Sequence, residues 1–359
     1  MPAPERETVV IGAGVIGAAA ALALRRAGRA VALLDADRVA AGASGWSGGV
    51  ARVFHLDAEE AARAAYGLPI LRDLARAIGV GVPFHETGYL YFPKPQDREA
   101  ALAAARALAP EHGTEFVGAG QLATLYPGLA LSGEGAIHEP RAGFADPRAV
   151  ALAYAEAFVR AGGRSLEGVR VGALAPDAGG VRLETTLGPI HADQVVLAAG
   201  YATPGMLDAL GVAHDLFSRS IQVTLFEPPH RIVAPAFTDE ELDVYGKPDP
   251  ASGGLYVGAP TTAESRGEIA AEPVDADHVG RTMAAARDRF GWMDAARPRG
   301  GLRHADCYSA RGRGEVFRLP GALSRIVVAA GFSGGGFKMA PWAGEAAAAL
   351  VAERAADAA

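Results

Sequence analysis

Thr8 to Asp35 reads TVVIGAGVIGAAAALALRRAGRAVALLD, and this stretch decides the fold. Thr8 to Gly12 carries the apolar run Val9-Val10-Ile11, the length of a short buried strand. Val15 to Ala27 is an alanine-rich helix with Gly28 as its C-terminal stop. Arg29 to Asp35 is a second buried strand, which completes a βαβ unit of about 30 residues. At the first strand–helix turn, Gly12-Ala13-Gly14-Val15-Ile16-Gly17 fits the spacing G-x-G-x-x-G. Gly12 allows the tight turn, Gly14 lets a pyrophosphate approach the backbone, and Gly17 lets the helix pack closely on the strand. Val15 and Ile16 open the helix, whose free N–H groups and partial positive charge attract phosphate. Asp35 follows Gly17 by 18 residues. A carboxylate there accepts hydrogen bonds from an adenosine ribose. The unit predicts dinucleotide binding but does not separate FAD from NAD.

Composition sets the frame. A chain of 359 residues suggests two domains, and 50% hydrophobic with 21% charged residues is the balance of a globular protein. The net charge of -7, from 34 basic and 41 acidic residues, argues against a nucleic-acid partner. The single cysteine, Cys307, excludes an internal disulfide and a cysteine zinc framework, and fits a reducing cytoplasm. The nine histidines show no metal-ligand spacing, and no metal is expected. The apolar stretch 8–24 holds three glycines and lacks the basic flank of a secretory signal, so a soluble cytoplasmic chain with no membrane partner is expected. Lysine is scarce: Lys94, Lys247 and Lys338 stand against 31 arginines, which makes each lysine's location informative.

Helical patterns follow at 57–79, 95–108, 146–161 and 339–353. Strand patterns fall at 88–93, 169–173, 181–186, 194–199, 220–227, 254–258 and 325–330. Buried strands like those of the first βαβ unit recur near residue 195 and at the C-terminal end, with aromatic strands between. This layout predicts an α/β, Rossmann-like domain interrupted by two segments of a mixed or antiparallel β-sheet (α+β) second domain.

Three motifs then carry a resemblance. Gly42-Ala43-Ser44-Gly45-Trp46-Ser47-Gly48-Gly49 resembles the small-residue loop of the FAD-dependent D-amino acid oxidase superfamily. Ala330-Gly331-Phe332-Ser333-Gly334-Gly335-Gly336-Phe337-Lys338-Met339-Ala340-Pro341, with Gly344-Glu345 after it, looks like the sarcosine oxidase/glycine oxidase branch. Val195 to Gly200, ending in Ala199-Gly200 before Tyr201, is similar to that family's flavin-contacting strand end. The motifs stand in the family's order across nearly the whole chain. The resemblance implies FAD as cofactor. It implies an FAD-binding domain at 1–86, 141–214 and 301–359, and a substrate domain at 87–140 and 215–300. It implies oxidation of the C–N bond of a small amino acid or N-substituted glycine: hydride passes to flavin N5, the imine hydrolyses, and O2 is reduced to H2O2. A monomer or small homo-oligomer is expected.

Residue by residue, the resemblance places Ala43, Ser44, Val171, Ala199, Gly200 and Gly331 to Lys338 at the cofactor. Lys338 would hold the substrate carboxylate. Arg52 would lie near the flavin, and His55 stands where sarcosine oxidases carry a substrate-side arginine. Tyr256 resembles an active-site tyrosine. Two registers compete at Arg303-His304-Ala305-Asp306-Cys307-Tyr308. In one, Cys307 forms a thioether to the flavin; in the other, Gly301-Leu302-Arg303 brings Arg303 to the substrate carboxylate. The segment after Tyr256 lacks the family's oxygen-activating lysine, and only Arg266 could supply its charge. A flavin-dependent amino acid dehydrogenase using another acceptor therefore stays open beside the oxidase. A nicotinamide enzyme and a non-catalytic nucleotide-binding subunit are further alternatives.

Overall fold

The computed structural model describes residues 7–261, 264–265 and 274–357. The opening strand and helix form as their patterns predict, at Glu7–Ile11 and Val15–Arg26, followed by the strand Ala30–Leu34. They seed a six-stranded sheet in the order Glu315–Arg318, Ile326–Ala330, Gln194–Leu197, Glu7–Ile11, Ala30–Leu34, Arg164–Leu166. All neighbours are parallel except the edge strand Glu315–Arg318. Parallel strands need both faces covered. The helices Val15–Arg26, Pro147–Arg160 and Gly336–Asp357 cover one face with an alanine-rich core. A small antiparallel sheet, Val171–Pro176, Val181–Thr185 and Gly188–Ala192, covers the other.

A second, nine-stranded sheet is antiparallel except where Ala236–Asp239 runs parallel to Tyr89–Phe92. Its central strand, Leu216–Glu227, pairs with Gly254–Gly258 on one side and Arg297–Ser309 on the other. Arg297–Ser309 is an unexpected strand, because Pro298, Gly300 and Gly301 read as turn residues. Pairing along almost the whole of Leu216–Glu227 overrides that local preference, so this sheet runs on to Ser309. One face packs on the helix Ala276–Ala286 through Leu255, Val257 and Phe226. The other looks toward the loops of the parallel sheet.

Two helical readings shift. The 57–79 pattern splits into Ala58–Arg72 and Leu74–Ile78, because Asp73 leaves helical geometry and caps the second with its carboxylate on the Arg76 N–H. The last helix starts at Gly336, so Lys338 sits in a first helical turn. No helix among the described residues is long and apolar enough to cross a membrane.

Candidate active site

The glycine turn is built around close backbone approaches. Gly12 has φ of 100°, and a Cβ there would lie 2.3 Å from the Ala198 carbonyl oxygen. A Cβ on Gly17 would lie 1.8 Å from the Gly12 carbonyl, so the helix packs on the turn only without a side chain. The Val15 N–H, first of the helix, donates to Ser44 Oγ at 2.9 Å, which ties the Gly42–Gly49 loop to the helix N-terminus. Asp35 Oδ2 accepts the Ala13 N–H at 2.7 Å and Oδ1 accepts the Asp37 N–H at 2.9 Å. Burial raises the Asp35 pKa, which those two N–H groups partly offset. Ala43 opens a short 3-10 turn, and Ala199 and Gly200 lead into another at the end of the Gln194–Leu197 strand. A side-chain-free turn, a helix N-terminus and a ribose-height carboxylate thus meet at one edge of the parallel sheet. That cradle fits the adenosine and pyrophosphate of FAD. Val171 opens the strand behind it, where Val169 and Gly168 bind the Asp35 and Asp37 carbonyls.

The second glycine loop turns sharply into the last helix. Gly331, Ser333 and Gly334 all have positive φ, and the Gly335 N–H donates to the Phe332 carbonyl at 2.7 Å. Ser333 donates its N–H to the Cys307 carbonyl, and Gly334 donates its N–H to Asp306 Oδ2 at 3.0 Å. These bonds fix the loop against the large sheet. Phe337 is buried beneath it, and Lys338 is only 9% exposed. The Lys338 ammonium folds back toward Gly335 and, among the described residues, makes no hydrogen bond or ion pair. Gly67 makes room for this turn: a Cβ there would sit 2.3 Å from the Lys338 carbonyl oxygen.

Arg52 and His55 face Lys338 from the segment after the short strand Val50–Ala51. The Arg52 guanidinium donates to the Phe54 carbonyl and lies 4.8 Å from the Tyr89 ring centroid. The segment is held by Glu139, a fully buried carboxylate that accepts the Val53 N–H at 2.8 Å and the Phe54 N–H at 2.7 Å. Burial, then the charge of Arg52, lowers the Lys338 pKa to about 7. Burial, then Arg52 and Lys338, holds the His55 pKa well below its ordinary value, so this ring is neutral at pH 7. His55 Nδ1 lies 2.9 Å from the Val53 carbonyl, which can only accept. Nδ1 therefore carries the proton, and Nε2 presents a lone pair.

The large sheet roofs these groups. Strand alternation and register put Phe217, Arg219, Tyr245, Lys247, Tyr256, His304, Asp306 and Tyr308 on one face. His304 lies 6.1 Å from the Trp46 ring and 5.7 Å from the Tyr201 ring, centroid to centroid, which joins the roof to both cofactor-side loops. Tyr256 stands on this face. Beside it, in register, is Lys247, which the motifs did not single out. Its ammonium lies 4.2 Å from the Phe144 centroid and 5.3 Å from that of Tyr256, and its methylenes run past Gly48. Only its rarity in the sequence pointed to it. Glu139 had no sequence signal.

Two expectations are corrected by strand parity. Arg303 pairs with Gln222, on the face away from Tyr256, and acts electrostatically on His278 of the helix Ala276–Ala286. The structure therefore does not bring Arg303 to Lys338 and Arg52. Cys307 points to that same away face and belongs to an apolar cluster with Leu197, Leu216 and Val328. Burial, then the Asp306 charge, pushes its thiol up to about 12, which disfavours the thiolate. Arg266 lies outside the described residues. Among the described residues no cluster of His, Cys, Asp or Glu could hold a metal ion.

Comparison with known proteins gives the same fold. A glycine oxidase from Geobacillus kaustophilus, 20% identical, superposes with a TM-score of 0.83 over 97% of this chain and 95% of its own. L-proline dehydrogenase from P. horikoshii, 19% identical, gives 0.85 over 98% and 95%. In sequence, 4-methylaminobutanoate oxidase (formaldehyde-forming) from Paenarthrobacter nicotinovorans is 28% identical over 263 residues, 70% of this chain. The chain spans only 31% of that relative's length. The description of the DAO family, FAD dependent oxidoreductases, matches residues 7–350. With the cradle at Gly12 to Asp35, that match over nearly the whole chain means that the protein belongs to the DAO family of FAD-dependent oxidoreductases.

Proposed function

We propose that the chain oxidises the C–N bond of a small amino acid or N-substituted amino acid, with a carboxylate as the handle. One observation carries this reading: a buried Lys338 and a half-buried Arg52 stand with a neutral histidine beside the glycine loops of the cofactor. Among the described residues neither forms a direct ion pair with a carboxylate, though the charges of Glu60 and Glu139 reach them, and such cations favour an anionic ligand. The curated relative acts, by its name, on an N-methylated amino acid, which supports the same substrate class.

FAD, when bound, would supply the two-electron acceptor for the hydride leaving the substrate carbon. Gly12 to Gly17, Asp35, Ser44 and the Gly331–Gly335 loop would hold it. The chain's own groups supply position and a proton path. Arg52 and Lys338 bind the substrate carboxylate and orient the adjacent C–N bond. His55 Nε2 accepts the ammonium proton, because only a neutral amine can release hydride from its carbon. Tyr256 and Tyr308 narrow the space from above and exclude water. Bound carboxylate raises the Lys338 pKa by adding a negative charge beside it, so substrate locks this lysine in its cationic form. The link to flavin is non-covalent in this reading.

The test is anaerobic mixing of the yellow holoprotein with a panel of amino acids and their N-methyl derivatives. Bleaching of the visible flavin band by an amino acid supports the reading, and no bleaching by any amine overturns it. Readmitting air then decides the acceptor. Rapid recolouring with stoichiometric H2O2 marks an oxidase. Slow recolouring marks a dehydrogenase, which the absence of a lysine from the segment Thr261 to Arg266 in the sequence favours.

A further inference from the structure

Lys247 is unlike the chain's other roof residues. It is half-buried among Phe144, Tyr256 and Gly48, and among the described residues its ammonium makes no hydrogen bond or ion pair. The rings offset part of the cost of desolvating the charge, but they do not neutralise it. The two carboxylates whose charges reach it are committed elsewhere. Asp249 accepts the Ser252 N–H at 3.2 Å and its hydroxyl at 2.5 Å. Asp146 caps the Pro147–Arg160 helix through the Ala149 N–H at 3.0 Å. Burial lowers the Lys247 pKa, and Asp249 and Asp146 raise it. Lys247 lies on the sheet beside Tyr256, and Arg52 and Lys338 lie on the segment after Val50–Ala51 and on the last helix, so the two sets of cations stand on different elements.

We propose that the substrate is an amino dicarboxylate, with one carboxylate on Arg52 and Lys338 and the second on Lys247. This assignment of substrate class rests on the amine-oxidising reading above. A single ammonium between two rings, with no guanidinium fork, matches one carboxylate. The distal group enters along Tyr256, whose ring then separates the two anions.

Glutarate and pentanoate test this, because they share a five-carbon chain, differ by one carboxylate and carry no amine to be oxidised. Each is titrated into the holoprotein and its binding is read from the visible flavin spectrum. Glutarate binds about 10- to 100-fold tighter than pentanoate, the range expected of one charge-assisted hydrogen bond in a desolvated site. Lys247→Met abolishes the preference, and Lys247→Arg keeps most of it, which separates loss of charge from loss of fold. No preference in the wild-type protein overturns the proposal, as does a preference that survives in Lys247→Met. A Lys247→Met variant that slows recolouring by air but keeps the glutarate preference also overturns it, because the cation then serves oxygen. If the preference is absent while simple amino acids bleach the flavin, only the dicarboxylate assignment fails. If the preference is present and no amine bleaches the flavin, the second anion site stands and the amine-oxidising reading falls.

Discussion

Replacing Lys338 with methionine should raise the melting temperature of the protein while weakening its hold on carboxylates. The ammonium is buried against Arg52 with no direct ion pair among the described residues, the charge of Glu60 offsets only part of the cost, and its pKa falls from 10.5 to about 7. The gap of about 3.5 units, at 1.36 kcal/mol each, corresponds to about 5 kcal/mol of destabilisation at pH 6, as an upper bound. The sign follows from proton counting. Between pH 7 and 10.5 the unfolded lysine binds a proton that the folded one has lost, so stability rises with pH through that window. Below pH 7 the full penalty applies. Methionine has similar volume and no charge, so the variant gains what the wild type loses. With an unfolding entropy of about 2.1 cal/mol/K per residue, each kcal/mol shifts a chain of 359 residues by about 1.3 °C. A gain of about 3 to 6 °C is therefore expected at pH 6, falling to under half of that at pH 9. Thermal melts of the holoprotein at the two pH values measure it. In parallel, pentanoate binding should weaken at least about tenfold in the variant, and in the wild type it should fall as pH rises through about 7. A variant that melts lower at pH 6, or gains equally at both pH values, would refute the argument. Lys338 would then be a partnered cation and not a desolvated one.

Three further outcomes follow from the same geometry. Acid precipitation of the yellow protein should leave its flavin in the supernatant, because the Cys307 thiol is buried in the apolar cluster and points away from the roof face; colour retained in the washed pellet would show a covalent link. Gly67→Ala should reduce carboxylate affinity several-fold with flavin still bound, because a Cβ 2.3 Å from the Lys338 carbonyl pushes the first turn of the last helix toward the cofactor loop; an unchanged titration would count against that coupling. Glu139→Ala should cost about 2 to 5 kcal/mol by leaving the Val53 and Phe54 N–H groups buried and unpaired, and should raise KM by loosening Arg52 and His55. Glu139→Gln, which keeps one acceptor, should recover part of both in melts and steady-state kinetics.

The cofactor cradle was legible because its determinants are local. Gly12, Gly14, Gly17 and Asp35 lie within one βαβ unit, and each answers a backbone demand met within a few residues of it. Lys338 was legible for the same reason, within a glycine loop that leads from strand to helix. The roof was not. Whether Arg303 or its neighbours His304 and Asp306 face the cofactor depends on the parity of a strand. That parity is set by pairing with Leu216–Glu227, about 80 residues earlier in the chain. Pro298, Gly300 and Gly301 hid the strand itself. Glu139 could not be read as the support of Arg52 and His55, since its partners are backbone N–H groups 85 and 86 residues away. Lys247 stood out in the sequence only as one of three lysines. Its place beside Tyr256 comes from strand pairing, and its lack of a partner from the commitment of Asp249 and Asp146 to local turns and caps. Local backbone geometry determined where the dinucleotide goes. Long-range register decided which side chains face the candidate site, because a shift of one residue turns every side chain of a strand to its other face.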